Sequence, residues 1–106
     1  MNAPYSFTTK EGHRFSGVDG KMHSVDDEPA VVYADGTKWW YRENEIHRDA
    51  GPAVVWSNGT QEWWQNNRRH RADGPAVIYP NSMAIGLQKR GVKEWWTDGR
   101  FVRAER

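Results

Sequence analysis

The chain has 106 residues, 37% of them apolar, a mean hydropathy of −0.98 and a net charge of +1. That length holds one domain and no second core, and no stretch approaches the ~20 apolar residues of a membrane-spanning helix. With no cysteine, disulfides, thiolate zinc sites and cysteine nucleophiles are excluded.

The apolar content sits in seven Trp, four Tyr and three Phe. Each large aromatic buries roughly 150–250 Å², which suits a thin sheet-rich domain better than a thick α/β one. In chain order, Met1-Asn2-Ala3-Pro4-Tyr5 lacks a basic region followed by an apolar run. No secretory leader is expected from it, and a cytoplasmic protein is the expectation. Asp19-Gly20-Lys21-Met22 reads as a fragment of a repeat, a half repeat over 13–22.

Three repeats follow. His47-Arg48-Asp49-Ala50-Gly51-Pro52-Ala53-Val54-Val55-Trp56 returns 23 residues later as His70-Arg71-Ala72-Asp73-Gly74-Pro75-Ala76-Val77-Ile78-Tyr79. A worn first copy runs from His23 through Glu28-Pro29-Ala30-Val31-Val32-Tyr33. A fixed period of this kind marks one supersecondary unit stacked several times. The repeats span 23–46, 47–69 and 70–103.

In each repeat a β-branched run meets a turn, Asp35-Gly36 or Asn58-Gly59, that reads as a two-residue hairpin. Return strands are predicted from Thr37 to Arg42 and from Thr60 to Gln65. The Gly-Pro before each first strand marks where pairing starts, because proline cannot donate to a ladder. The chain then turns through Glu43-Asn44-Glu45 or Asn66-Asn67-Arg68. The third repeat carries an insertion over about 80–91 that holds Met83, Ile85 and Leu87. It reads either as a longer hairpin or as a flap over one face. The expected fold is all-β: an antiparallel meander of stacked ~23-residue β-hairpin repeats with half repeats at both ends.

A tryptophan pair follows each turn: Trp39-Trp40, Trp63-Trp64 and Trp95-Trp96. Neighbours on a strand point to opposite faces, so each pair puts one indole on either side. A simple two-residue turn sets Trp40 beside Val31 and Trp39 beside Val32. One further residue separates turn and pair in the second repeat, so a bulge or longer turn is expected in one copy. A single sheet cannot bury indoles on both faces. Curling, the insertion, a homodimer or a partner must cover them, and contiguous exposed aromatic area marks interaction sites.

Three kinds of chemistry are tested by spacing. His23, His47 and His70 recur two strands apart, roughly 9–10 Å, whereas ligands of one zinc ion lie at about 2.0–2.1 Å from it. The histidines are therefore expected to bond into the Gly-Pro turns, helped by Asp49 or Asp73, and no metal or other cofactor is expected. A catalytic set needs unlike residues brought together once, whereas His, Asp and Arg recur here as structural positions do. No phosphate loop, HExxH or GxSxG pattern occurs, so no enzyme is expected. Arg68-Arg69-His70-Arg71 is a compact basic cluster, but general backbone binding of nucleic acid needs a broadly basic surface. Charge is uneven: residues 24–46 hold six acids against two bases, and residues 88–106 six bases against three acids.

The 23-residue hairpin repeat, with Asp35-Gly36-Thr37-Lys38-Trp39-Trp40 and Asn58-Gly59-Thr60-Gln61-Glu62-Trp63-Trp64 each followed by a His boundary, resembles the MORN repeat. The likeness covers roughly Asp19 to Arg103. Departures are Arg48 and Arg71 where the usual motif has Gly, and the double tryptophan in place of Tyr-x-Gly. This variant looks more like repeat proteins of tailed phages and giant viruses. The resemblance implies a non-catalytic scaffold for protein contact or self-association. For a phage-like chain it implies an inhibitor of a host protein, a defence system being one target class.

The expected contact groups are Trp39, Trp40, Trp63, Trp64, Trp95 and Trp96, with Arg42, Arg68 and Arg69 at the rim and Met83 and Ile85 from the insertion. A protein partner is expected. A nucleotide or nucleic-acid ligand held by Trp stacking and Arg contacts, and a self-associating module, are the alternatives.

Overall fold

The computed structural model describes residues 3–82 and 85–106. Its strands repeat as the sequence does. β1 (Pro4–Thr8) and β2 (Arg14–Val18) form a hairpin, and β3 (Lys21–Met22) folds back on the end of β2. The first full repeat is β4 (Val31–Val32), β5 (Lys38–Trp39), β6 (Tyr41–Arg42) and β7 (Glu45–Ile46). The second is β8 (Val54–Val55), β9 (Gln61–Glu62), β10 (Trp64–Gln65) and β11 (Arg68–Arg69). β12 (Val77–Ile78), β13 (Lys93–Thr97) and β14 (Arg100–Glu105) complete the array.

All pairing is antiparallel. One ten-stranded sheet runs β1-β2-β4-β5-β8-β9-β12-β13-β14, with β3 on β2, and β6-β7 and β10-β11 form two-stranded sheets. The meander of stacked hairpins is thus the fold. Among the described residues there is no helix, and so none long and apolar enough to cross a membrane.

The return strands differ from their prediction: each breaks at one tryptophan. Trp40 donates its N–H to the carbonyl of Ala53, while its own carbonyl accepts from His47. The ladder therefore changes partner at that residue, and Trp63 does the same between Ala76 and His70. Beyond the break, Glu43-Asn44 and Asn66-Asn67 turn the chain with both residues left-handed (φ 47° and 68°, 50° and 67°). Asn and Gly tolerate that region, and it matches the strand twist of a two-residue hairpin.

The turns at Gly36 and Gly59 hold three residues rather than two. Tyr33 N–H bonds the Thr37 carbonyl at 2.8 Å and Gly36 N–H the Tyr33 carbonyl at 2.9 Å, with Gly36 at φ 95°. The third residue is left-handed, so glycine is needed there. Asp35 and Asn58 close the turns by accepting from Thr37 and Thr60 N–H, both at 2.9 Å.

The longer turn, expected in one copy, is present in both. Trp39, not Trp40, lies opposite Val31, and in the second repeat Glu62 lies opposite Val54. The turns are alike; the tryptophan doublets simply start one position apart. Trp40, Trp63 and Trp95 are equivalent, as are Tyr41, Trp64 and Trp96, while Trp39 shares its place with Phe15, Glu62 and Glu94.

Two rows of directly paired residues cross the sheet. One runs Phe7, Phe15, Val31, Trp39, Val54, Glu62, Val77, Glu94, Ala104. We call its side the valine face. The other runs Thr8, Arg14, Val32, Lys38, Val55, Gln61, Ile78, Lys93, Glu105 on the opposite, alanine face. Val31, Val54 and Val77 are fully buried, each contributing about 1.5–3 kcal/mol. The same spot in every repeat supplies the core, so stability is shared between neighbouring repeats.

Among its described residues the insertion holds no strand of its own and forms the long loop between the paired strands β12 and β13. Tyr79 N–H bonds the Val92 carbonyl, so residues 80–91 replace a turn that needs only 34–36 in the first repeat. Successive turns follow, closed by Gly91 N–H on the Pro80 carbonyl. Arg106 clasps the loop through the carbonyls of Leu87, Gln88 and Arg90.

Candidate functional site

On the alanine face the His-Arg-x-x-Gly-Pro-Ala-Val motif resolves into parts. The guanidinium carbon of Arg48 lies 3.9 Å from the centre of the Trp40 ring, Arg71 lies 4.0 Å over Trp63 and Arg103 4.1 Å over Trp95. Arg48 also donates to both Asp27 oxygens at 3.0 Å and to the Pro52 carbonyl at 3.1 Å. Arg71 repeats the bond with Pro75 at 3.1 Å and pairs with Asp73 at 3.2 Å. A Cβ on Gly51 would stand 3.2 Å from Arg48 Nη1, and one on Gly74 3.0 Å from Arg71 Cζ. The motif glycine therefore makes room for the guanidinium. The hydrogen bond from Arg48 holds the Asp27 carboxyl below the usual carboxylate range.

The histidines do not bond into the Gly-Pro turns. His23, His47 and His70 each accept, at Nδ1, the N–H that opens the tight turn near the end of the same repeat: Glu43, Asn66 and Asp98 at 3.2, 3.2 and 3.1 Å. Nε2 therefore carries the proton, and in His47 it donates to Asp49 at 2.9 Å. Asp73 belongs to Arg71 instead. Among the described residues no group of three His, Asp or Glu converges as metal ligands would.

The valine face divides in two. In its C-terminal half Glu62, 6% exposed, accepts the indole N–H groups of Trp56 and Trp64 and pairs with Arg69 at 3.1 Å. Arg69 lies 5.4 Å from the Trp64 ring centre and 4.9 Å from that of Trp96. Glu94 repeats the arrangement, accepting from Trp96 at 3.0 Å and from Lys89 at 3.2 Å.

In the N-terminal half the carboxylate is absent and aromatics pack on one another. Tyr5–Phe7, Phe7–Phe15 and Phe15–Tyr33 ring centres are 6.3, 5.4 and 6.4 Å apart. Trp39 stacks on Tyr41 at 6.4 Å and meets Trp56 edge-on at 5.7 Å. Phe7 is 53% exposed and Trp56 38%. Burial raises the Tyr41 hydroxyl above its ordinary pKa.

The expected contact groups are scattered by this geometry. Trp40 is buried, and Trp39, Trp63, Trp64, Trp95 and Trp96 are half-buried. Trp40, Trp63 and Trp95 lie beneath arginines on one face, and Trp39, Trp64 and Trp96 lie on the other. Arg42 is exposed and bonds Asn66 at 2.7 Å. Arg68 points out, while Arg69 turns in to Glu62, so the basic cluster does not act as one patch. Ile85 is 6% exposed and belongs to the interior. Met83 lies outside the described residues.

Sequence reasoning passed over Arg48, Arg71, Phe7 and Trp56. The recurrence of Arg at the same step as the tryptophans was the signal for the first two, and Phe7 lay ahead of the recognised array. An open groove of about 550 Å³ runs between the Arg48 and Arg71 loops, floored by Trp63 and Gln65. Its arginines are already paired with Asp27 and Asp73.

No family model, no curated protein and no solved structure matches this chain.

Proposed function

We infer that the chain is a non-enzymatic protein-interaction module that docks an apolar surface of another protein on the aromatic half of its valine face. The observation that carries this reading is a pair of ring clusters on that face, Tyr5–Phe7–Phe15–Tyr33 and Tyr41–Trp39–Trp56, on either side of Val31, of which Phe7 and Trp56 are exposed. Large aromatics dominate binding hot spots, because they bury much area with few rotatable bonds. The recurring His, Arg and Asp groups already have structural partners, which supports a non-catalytic role. The resemblance to phage repeat proteins directs the search to bacterial host proteins, an inhibited defence protein among them.

A tagged pull-down from bacterial lysate, with and without nuclease, tests this. The expected result is one stoichiometric protein that survives nuclease. It should be lost with Phe7→Ser combined with Trp56→Ala and kept with Lys38→Ala on the opposite face. Capture that depends on nucleic acid, or that ignores Phe7 and Trp56, would overturn the reading.

A further inference from the structure

β14 is the outer strand at one end of the sheet, and all six of its residues are exposed. Its backbone has a defined set of unused groups. The Glu94 carbonyl bonds Ala76 N–H at 2.8 Å, so Glu94 faces β12. Its neighbours Lys93 and Trp95 therefore face β14, opposite Glu105 and Arg103. That turns the Ala104 N–H and C=O outward. At the other end Thr97 and Arg100 close the Asp98-Gly99 turn, which turns Phe101 outward. The register shifts between Trp95 and Trp96, with Val102 as the additional residue. This places the two outward-facing residues three apart, not two or four.

In one register the outward groups of two such edges still meet, with Val102 and Arg103 of each copy lying together between the bonded pairs. When two β14 strands meet antiparallel about a two-fold axis between Val102 and Arg103, Phe101 of each copy faces Ala104 of the other, outward backbone to outward backbone. The same register sets Arg100 opposite Glu105 of the second copy, twice, in the closely spaced non-hydrogen-bonded pairs. Side chains agree as well. Phe101 packs on Trp96 of the valine face, and Ala104 pairs with Glu94 on that face. Glu105 lies opposite Lys93 on the alanine face, where Arg103 of its own chain donates to it at 2.8 Å, and Arg100 alternates with Phe101. Each residue therefore meets a partner on its own face. The opposite edge, β1, offers Pro4-Tyr5-Ser6-Phe7-Thr8, with no charge to pair and a proline that cannot donate.

We propose that two copies of this chain associate through β14, in antiparallel register about Val102–Arg103, into one continuous sheet across a two-fold axis. Isologous pairing of this kind closes on itself and stops at two. The interface lies at the far end of the sheet from Phe7, so it stands independently of the protein-binding reading. Phe7→Ser with Trp56→Ala leaves it intact.

Light scattering across a concentration series tests it. The expected result is a mass rising from one chain to two and no further. Arg100→Glu or Glu105→Arg alone should weaken association at least about tenfold by facing like charges. The double swap, or a mixture of the two single variants, should restore it. Because the chain has no cysteine, an Arg100→Cys copy mixed with a Glu105→Cys copy should give a disulfide-linked pair that neither forms alone. Circular dichroism confirms that each variant is folded. A single-chain mass at every concentration overturns the proposal, as does a dimer indifferent to the charge swaps and without the mixed disulfide.

Discussion

Trp39 and Glu62 occupy the same place in successive repeats, and the two halves of the valine face differ because of them. Around Glu62 a buried carboxylate organises two indoles and a guanidinium. Around Trp39 there is no such acceptor, and its indole nitrogen is buried with no hydrogen-bond partner among the described residues. The backbone register is identical in both. A repeat scaffold thus holds strand pairing constant while one side chain decides whether the face is closed by ion pairing or left as stacked aromatics.

A second difference runs along the same repeats one turn earlier. His13 Nδ1 accepts Ala34 N–H at 3.0 Å, and Thr37 Oγ accepts Ser57 N–H at 3.1 Å. The next donor in this series would be residue 80, which is proline and has no N–H. Thr60 Oγ is accordingly buried without a partner among the described residues. The insertion that begins at Pro80 therefore interrupts a hydrogen-bond ladder that the first two units share.

The largest expected effect comes from erasing the Glu62 centre. Glu62→Ala leaves the Arg69 guanidinium and two indole N–H groups without their acceptor, and should cost about 3 kcal/mol in urea unfolding. Installing the charge in the other half is its converse. Trp39→Glu places a carboxylate among Tyr41 and Trp56 with no cation, and should also destabilise. Equal stability of Trp39→Glu and the parent would show the two halves to be electrostatically alike.

The threonine pair offers a smaller and sharper contrast. Thr37→Val removes an acceptor from Ser57 N–H and should cost about 1 kcal/mol. Thr60→Val removes an orphaned hydroxyl and should be neutral or stabilising by up to about 1 kcal/mol. Urea midpoints that fall equally in both variants would contradict the interrupted ladder.

The smallest effect concerns acid. The bond to Arg48 depresses Asp27 below its unfolded value. Its contribution to stability is therefore present above the ordinary carboxylate range, about pH 4, and lost as pH falls through the lower folded value. Asp27 is half exposed, so solvent screens the pair. Asp27→Asn should slightly flatten the acid limb of the stability profile, with little change where stability is already lost.

Much of this was legible in the chain. Periodic Ala-Val-Val runs and turn residues suffice for the all-β meander, because strand alternation and turn geometry are local rules. The placement of one indole per face follows from the same alternation. The turn length at Gly36 was misread, since Asp-Gly serves both the two-residue turn and the three-residue turn with a left-handed glycine. That single residue reversed which tryptophan meets Val31.

By itself, then, the sequence determined the repeat, its strands and the antiparallel order, all of which depend on contacts between near neighbours. Only the tertiary structure decided what the repeated side chains do. Arg48 finds Trp40 and Asp27, His47 finds the N–H of Asn66, and Arg69 finds Glu62. Each of these meetings depends on register and on which face a residue takes. A shift of one residue exchanges every partner, so only the assembled sheet sets apart the charge-paired half from the half of stacked aromatics, with Trp56 at their boundary.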